Sequence, residues 1–141
     1  MRAGIGRKGK GERRQAMKKG DVVIMNHPAF GRYGLVTGIR GGGKFVDIIS
    51  RTGLRLDYEA EDAKSWFGVL GFLRVEAEFV VGRGQQRKKF RTLEVDGVRC
   101  HFCLNCEEGG GVLRYADDIR KAAFGLVCDR LEARDAGAAA A

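Results

Sequence analysis

A single proline, Pro28, stands in a chain of 141 residues that holds 22 glycines. Proline makes turns by removing backbone freedom, and glycine makes them by tolerating positive φ. The turns expected here are therefore numerous and of the glycine kind, as between short strands. Histidine is as scarce, with His27 and His101 the two in the chain. No serine sits in a nucleophile turn, and Gly41-Gly42-Gly43-Lys44 is too short for a phosphate loop and lacks its Ser/Thr. His101 and the adjacent Cys100 would face opposite ways on one strand. Glu59, Glu61, Asp62, Glu107 and Glu108 read as solvated acids. These absences argue against an enzyme.

Long apolar runs are also missing. None approaches the ~18 residues that cross a bilayer, so no transmembrane segment is expected. The N-terminus lacks the apolar core of a secretory signal. The expected setting is intracellular, either cytoplasm or an organelle matrix or stroma. In such a setting the four cysteines should be reduced thiols or metal ligands.

Acidic residues are the minority charge. Lys and Arg number 26 against 18 Asp and Glu, giving a net charge of +8 and a pI near 9.6. A polyanion is the natural partner of such a chain, because neutralising phosphates releases counterions. Residues 1–19 concentrate the charge in Arg2, Arg7, Lys8, Lys10, Arg13, Arg14, Lys18 and Lys19, against Glu12 alone. With glycines interleaved, this segment reads as a disordered basic arm that orders on a phosphate backbone. An alternative is the remnant of an organelle presequence.

The pattern then changes to short apolar bursts. Strands are expected at Asp21–Asn26, Gly34–Arg40, Lys44–Ser50 and Leu54–Asp57, with a loop over His27–Tyr33 and turns at Gly41–Gly43 and Arg51–Gly53. Strands at about ten-residue spacing with glycine turns predict a small barrel. Tyr58–Lys64 reads as a single helical turn closing it.

Gly20-Asp21-Val-Val-Ile24, followed by Phe30-Gly31-Arg-Tyr-Gly34-Leu-Val36-Thr-Gly-Ile39, resembles the KOW motif of SH3-like domains in transcription elongation factors and ribosomal proteins. The resemblance covers about residues 20–64. It implies an SH3-like barrel in which Gly34 fills a tight turn. It also implies that the loop between the first two strands contacts RNA or protein. By that resemblance His27, Phe30, Arg32 and Tyr33 are contact residues, with Arg40 and Lys44 on the adjoining turn. Aromatic rings offer stacking faces, and arginine pairs with phosphate bidentately. The barrel is also similar to the stromal SH3-like subunit of photosystem I, which implies docking on protein.

Beyond residue 66 the expected order is βββα. Leu73, Val75, Ala77, Phe79 and Val81 alternate as one face of a half-buried strand. Gly82–Lys89 is a loop carrying Arg83, Arg87, Lys88 and Lys89, and Asp96-Gly97 is a type I′ hairpin signal. A strand from Val98 to about Cys106 follows, then a helix from Ala116 to about Arg134 with Asp117 and Asp118 in its first turn. The order is similar to part of a double-stranded-RNA-binding domain, without the basic start of that family's last helix. The organisation expected is thus a basic arm (1–19), a barrel (20–66), a βββα unit (67–135) and a flexible tail (136–141).

Cys100, Cys103 and Cys106 form C-x-x-C-x-x-C, with Cys128 further on. These four thiols are the chemistry of a zinc or iron–sulfur site. On a continuous strand, however, Cys100 and Cys106 share one face while Cys103 and His101 share the other. That scatters the ligands and favours buried thiols without a cofactor.

The function expected is a non-catalytic RNA-binding or ribonucleoprotein subunit, such as a ribosomal one. Its phosphate contacts would be Arg7, Lys8, Lys10, Arg13, Arg14, Lys18, Lys19, Arg32, Tyr33, Arg83, Arg87, Lys88 and Lys89. The alternative is a docking subunit that meets acidic protein surfaces of a large organelle complex.

Overall fold

The computed structural model describes residues 16–106 and 112–140. The fold is mainly β, with antiparallel sheets and a long C-terminal helix, and it divides into two compact units at Phe72/Leu73.

The first unit contains β1 (Asp21–His27), β2 (Gly31–Arg40), β3 (Phe45–Ile49), β4 (Arg55–Glu59), the short helix α1 (Ala60–Trp66) and β5 (Gly68–Phe72). They form one antiparallel sheet in the order β4-β3-β2-β1-β5. Val23, Met25, Val36, Val46, Ile48, Ala63 and Phe67 make its core, with Phe30, Leu56, Tyr58 and Val69 packed around them. The helix is a two-turn element rather than a single turn, and its Ala63 is fully buried. Among the described residues β4 and β5 do not pair, so the sheet is not closed by hydrogen bonds.

Two features differ from the sequence expectation. The unit extends past residue 66 because Gly68–Phe72 pairs with β1, placing Val69 opposite Val23; two glycines in five residues mask that strand's apolar signal. Gly34 lies within β2 opposite Val23, not in a turn. A Cβ there would fall 2.6 Å from both Ile48 Cγ2 and Met25 Sδ. Glycine is required at this position by close packing.

Ser50 organises the β3–β4 turn, its Oγ accepting from the backbone N–H of Thr52 at 3.3 Å and of Leu54 at 3.2 Å.

The second unit contains β6 (Arg74–Val75), β7 (Phe79–Val81), β8 (Lys88–Val95), β9 (Val98–Cys103) and α2 (Ala116–Ala140). β6 and β7 pair with successive parts of β8 on one side, and β9 pairs with β8 on the other. This is the expected βββα order with its first strand interrupted. Asp96 and Gly97 both have positive φ, 49° and 79°, as a type I′ turn requires. The helix packs on β9 and β6, and Ile119, Ala123, Phe124, Val127, Cys128 and Leu131 are buried with Leu73, Leu93, Val95 and Cys100.

Two arginines tie the helix to the sheet's ends. Arg120 Nε donates to the carbonyl of Leu73, and Arg134 donates to both the carbonyl and the carboxylate of Asp96. The alanine-rich tail, expected to fray from residue 136, continues the helix to Ala140. Alanine has the highest intrinsic helix propensity, which outweighs the lack of burial.

The interruption between β6 and β7 decides what the sheet displays. Val75 pairs with Leu93 and Phe79 with Phe90, four steps along one strand against three along the other. One extra residue in Glu76–Glu78 reverses which face each side chain takes. The alternation expected through Leu73–Val81 therefore breaks, and Phe79 turns to the face opposite Leu93.

Candidate nucleic-acid interface

The loop joining β7 to β8 begins at Gly82, whose φ is +94°, and passes through a three-ten turn at Gly84–Gln86. Arg83, Arg87 and Lys88 are exposed and Lys89 is half-buried. None of these four side chains forms an ion pair among the described residues. The contrast with other arginines is marked. Arg40 and Arg55 hold Asp47 and Asp57, while Arg74 and Arg99 hold Glu76 and Glu94. Those guanidiniums are already neutralised within the fold, and the β7–β8 loop keeps its charge for a partner.

The loop is fixed to the segment that follows β9. Asn105 Oδ1 accepts from the N–H of Lys89 at 3.0 Å, and Asn105 Nδ2 donates to the carbonyl of Arg87 at 3.3 Å. Asn105 sits inside a four-residue turn closed by a disulfide between Cys103 and Cys106. The expectation of four unlinked thiols is corrected here. The strand ends at Cys103 and not near Cys106, so the chain folds back and brings the two sulfurs together. Cys100 and Cys128 are free and buried. Burial pushes the Cys100 thiol pKa up, partly countered by the charge of Arg130. Among the described residues, no cluster of three metal-ligating side chains occurs.

Next to this loop lies an aromatic group on the sheet face opposite α2. Phe79 and Phe90 stack with ring centroids 5.4 Å apart and planes 16° from parallel. His101 meets Phe79 edge-on at 5.4 Å, and its Nδ1 is 2.8 Å from the hydroxyl of Thr92. Phe79 is 37% exposed and His101 is exposed. Sequence reasoning passed over these rings because alternation alone assigns Phe79 to the buried face. The available signal was the unbroken apolar run Phe79-Val80-Val81, which does not fit a half-buried strand.

In the first unit the β1–β2 loop is largely occupied with itself. His27 Nδ1 accepts from the backbone N–H groups of Ala29 and Phe30 at 3.0 and 3.3 Å, and its ring lies 4.4 Å from that of Phe30. Phe30 packs against the core. Tyr33 is 2% exposed, so the ring expected to stack on a base is buried in the fold. Its hydroxyl accepts from Arg32 Nε at 3.2 Å, and the Arg32 guanidinium lies over the ring. Arg32 and Lys44 are exposed, but Arg40 is committed to Asp47 through Nε at 3.0 Å. Lys18 is drawn to Asp21 and to the Phe72 ring. Arg7, Lys8, Lys10, Arg13 and Arg14 lie outside the described residues. Lys19 is exposed and belongs to the first unit.

The expected contact residues thus separate into a basic loop with uncommitted charge in the second unit and a self-satisfied loop in the first. No known protein family, curated protein or solved structure matches this chain.

Proposed function

We propose that this protein is a non-catalytic RNA-binding or ribonucleoprotein subunit that grips phosphates with Arg83, Arg87, Lys88 and Lys89 of the second unit and with the basic segment 1–19. The observation that carries the reading is the absence of intramolecular ion pairs at those four side chains among the described residues, where Arg40, Arg55, Arg74 and Arg99 are each paired with carboxylates. Arginine and lysine held on an exposed loop bind phosphate through charge and counterion release.

In this reading the first unit is an SH3-like module of the KOW type. Its support is the strand order β4-β3-β2-β1-β5, in which β1 pairs with both its successor and the last strand. A ribosomal or other ribonucleoprotein setting suits such a module joined to a second unit that gathers four cations between β7 and the start of β8.

A second reading, docking of the first unit on a protein surface of a large assembly, has one specific observation in its favour. Trp66 is 61% exposed at the end of α1, edge-on to Tyr58 and Phe67, and tryptophan is a frequent anchor of protein interfaces.

A salt titration of binding to a structured RNA separates the two. The full chain is compared with a variant carrying glutamine at positions 83, 87, 88 and 89, and with a chain lacking residues 1–19. The slope of log K against log salt should flatten by about three when the four loop charges are removed. Failure of the full chain to bind at low salt would discard the RNA reading and leave the docking one.

A further inference from the structure

We propose that the open face of the second unit's sheet is a stacking platform for unpaired bases, so that the nucleic acid taken by this protein is single-stranded. The inference rests on the RNA reading above and specifies the chemistry of its substrate. Its first two observations are separate from the loop charges.

The first is the extra residue in Glu76–Glu78. Without it Phe79 would stand opposite Lys89 and point to the face that α2 covers; with it Phe79 stands opposite Phe90 on the uncovered face. The result is an exposed ring, 37% accessible, backed by a parallel second ring 5.4 Å away. A phenylalanine pair on an uncovered sheet face adds little to a hydrophobic core, whereas every nucleobase presents a π-face that such a ring can meet.

The second observation is His101. Its ring is exposed, stands edge-on to Phe79 and is oriented by the Thr92 hydroxyl. A side chain held in this way offers both a flat surface and a polar ring edge to a base laid on Phe79.

The third is where the charges lie. Val81 pairs with Lys88 two residues beyond the Phe79–Phe90 pair, about 7 Å along the strand, and Arg83 and Arg87 follow on the loop. Cations therefore adjoin one end of the rings. At the other end Arg74 and Arg99 neutralise Glu76 and Glu94, which leaves Glu78 as the exposed carboxylate beside Phe79. The cations attract a polyanion, and the stacked rings favour one that carries bases over an acidic peptide. Duplex RNA fits less well, because its bases are already stacked and it presents phosphates and 2′-hydroxyls to a protein.

The test is fluorescence anisotropy with the full chain, using a labelled twelve-nucleotide oligouridylate and a blunt RNA duplex with a matched number of phosphates. The native chain should prefer the single strand. Phe79→Ala should weaken single-strand binding about 5- to 150-fold, the range of one lost base–aromatic stack, and leave duplex binding within about twofold. His101→Ala should weaken the single strand in the same direction. Phe79→Leu, which keeps an apolar side chain but not the ring, should lose single-strand affinity while unfolding at the native temperature; it carries the test where Phe79→Ala fails to fold. Photocrosslinking with 5-iodouridine in the oligomer should join RNA to the segment containing Phe79 or Phe90. Equal binding of strand and duplex with Phe79→Leu silent would overturn the platform and leave the phosphate reading standing. Binding of neither RNA at low salt would overturn both. Crosslinks confined to the first unit, or capture of an acidic peptide in place of RNA, would overturn the platform as well.

Discussion

Asn105 bridges the basic loop to the disulfide turn, its Oδ1 accepting from the N–H of Lys89 at 3.0 Å. Its amide also donates to the Arg87 carbonyl, so one side chain satisfies two backbone groups at the root of β8. Asn105→Ala leaves both without that partner. The expected cost is about 1–2 kcal/mol in urea unfolding, with the denaturant slope unchanged. The salt slope of RNA binding should stay near native, because no charge is removed. A variant that kept full stability would mean that water replaces Asn105 without loss.

Arg120 makes a comparable connection on the other side of the second unit. The residue is 9% exposed, its Nε donates to the Leu73 carbonyl, and its Nη1 donates to Asp117 Oδ1 at 2.9 Å. Removing it leaves a buried carbonyl unpaired and takes packing from the first turns of α2. Arg120→Ala should destabilise the protein by about 2–3 kcal/mol. Arg120→Lys should recover part of that loss, since an ammonium reaches one acceptor but lacks the planar fork. Thermal unfolding of the three proteins checks the order.

The two halves differ in how much the sequence discloses. Gly41–Gly43 and Asp96-Gly97 are turns because their φ values favour glycine or aspartate, and that requirement is written directly in residue type. The helix from Ala116 is equally legible, since its apolar stripe repeats at helical spacing. Gly68–Phe72 was hidden because its glycines carry no side-chain pattern, and its strand character comes from pairing with β1. Phe79 was assigned to the wrong face because one residue added between two strands is invisible in either strand alone. The Cys103–Cys106 bridge was missed for a related reason: period-two alternation assumes that the strand continues through Cys106, and it ends at Cys103. Of the expected contacts, Arg83 and Arg87 stand on an exposed loop while Lys88 and Lys89 already belong to β8, and Tyr33 is buried because strand β2 begins at Gly31, earlier than its apolar run indicates.

Asp47 and Asp57 stand directly opposite each other on β3 and β4, a placement that repels unless compensated. Arg40 and Arg55 supply the compensation. The pKa of Asp57 is lowered, first by hydrogen bonding with Asp47; burial, the next effect in size, opposes this, and the charge and hydrogen bond of Arg55 and the charge of Arg40 add to the lowering. A carboxylate whose folded pKa lies below its unfolded value contributes stability that is present above the unfolded pKa, near 4, and is lost as pH falls through the folded one. Asp57→Asn should therefore narrow its difference from the native protein as pH falls below about 4. Urea titrations at stepped pH give the comparison. A difference that widened on acidification would contradict the direction of the shift.

The sulfur chemistry divides in the same structural way. Cys100 is 3% and Cys128 1% exposed, and the Cys100 thiol is pushed up by burial. Only a thiolate attacks an alkylating agent; access is withheld at both positions, and ionisation is withheld as well at Cys100. Native protein treated with iodoacetamide at pH 7 should stay unmodified at both positions over the time in which a free thiol peptide reacts fully. In urea without reductant, Cys100 and Cys128 should label while Cys103 and Cys106 remain joined. Adding a dithiol reductant to the native protein should label Cys103 and Cys106 first, because both lie at the sheet's exposed end and neither is fully buried. Peptide mass mapping reads each step. Rapid labelling of Cys100 in the oxidised native protein would mean that α2 lifts from β9 far more often than its buried apolar contacts allow, and the second unit would then be a loosely closed one in solution.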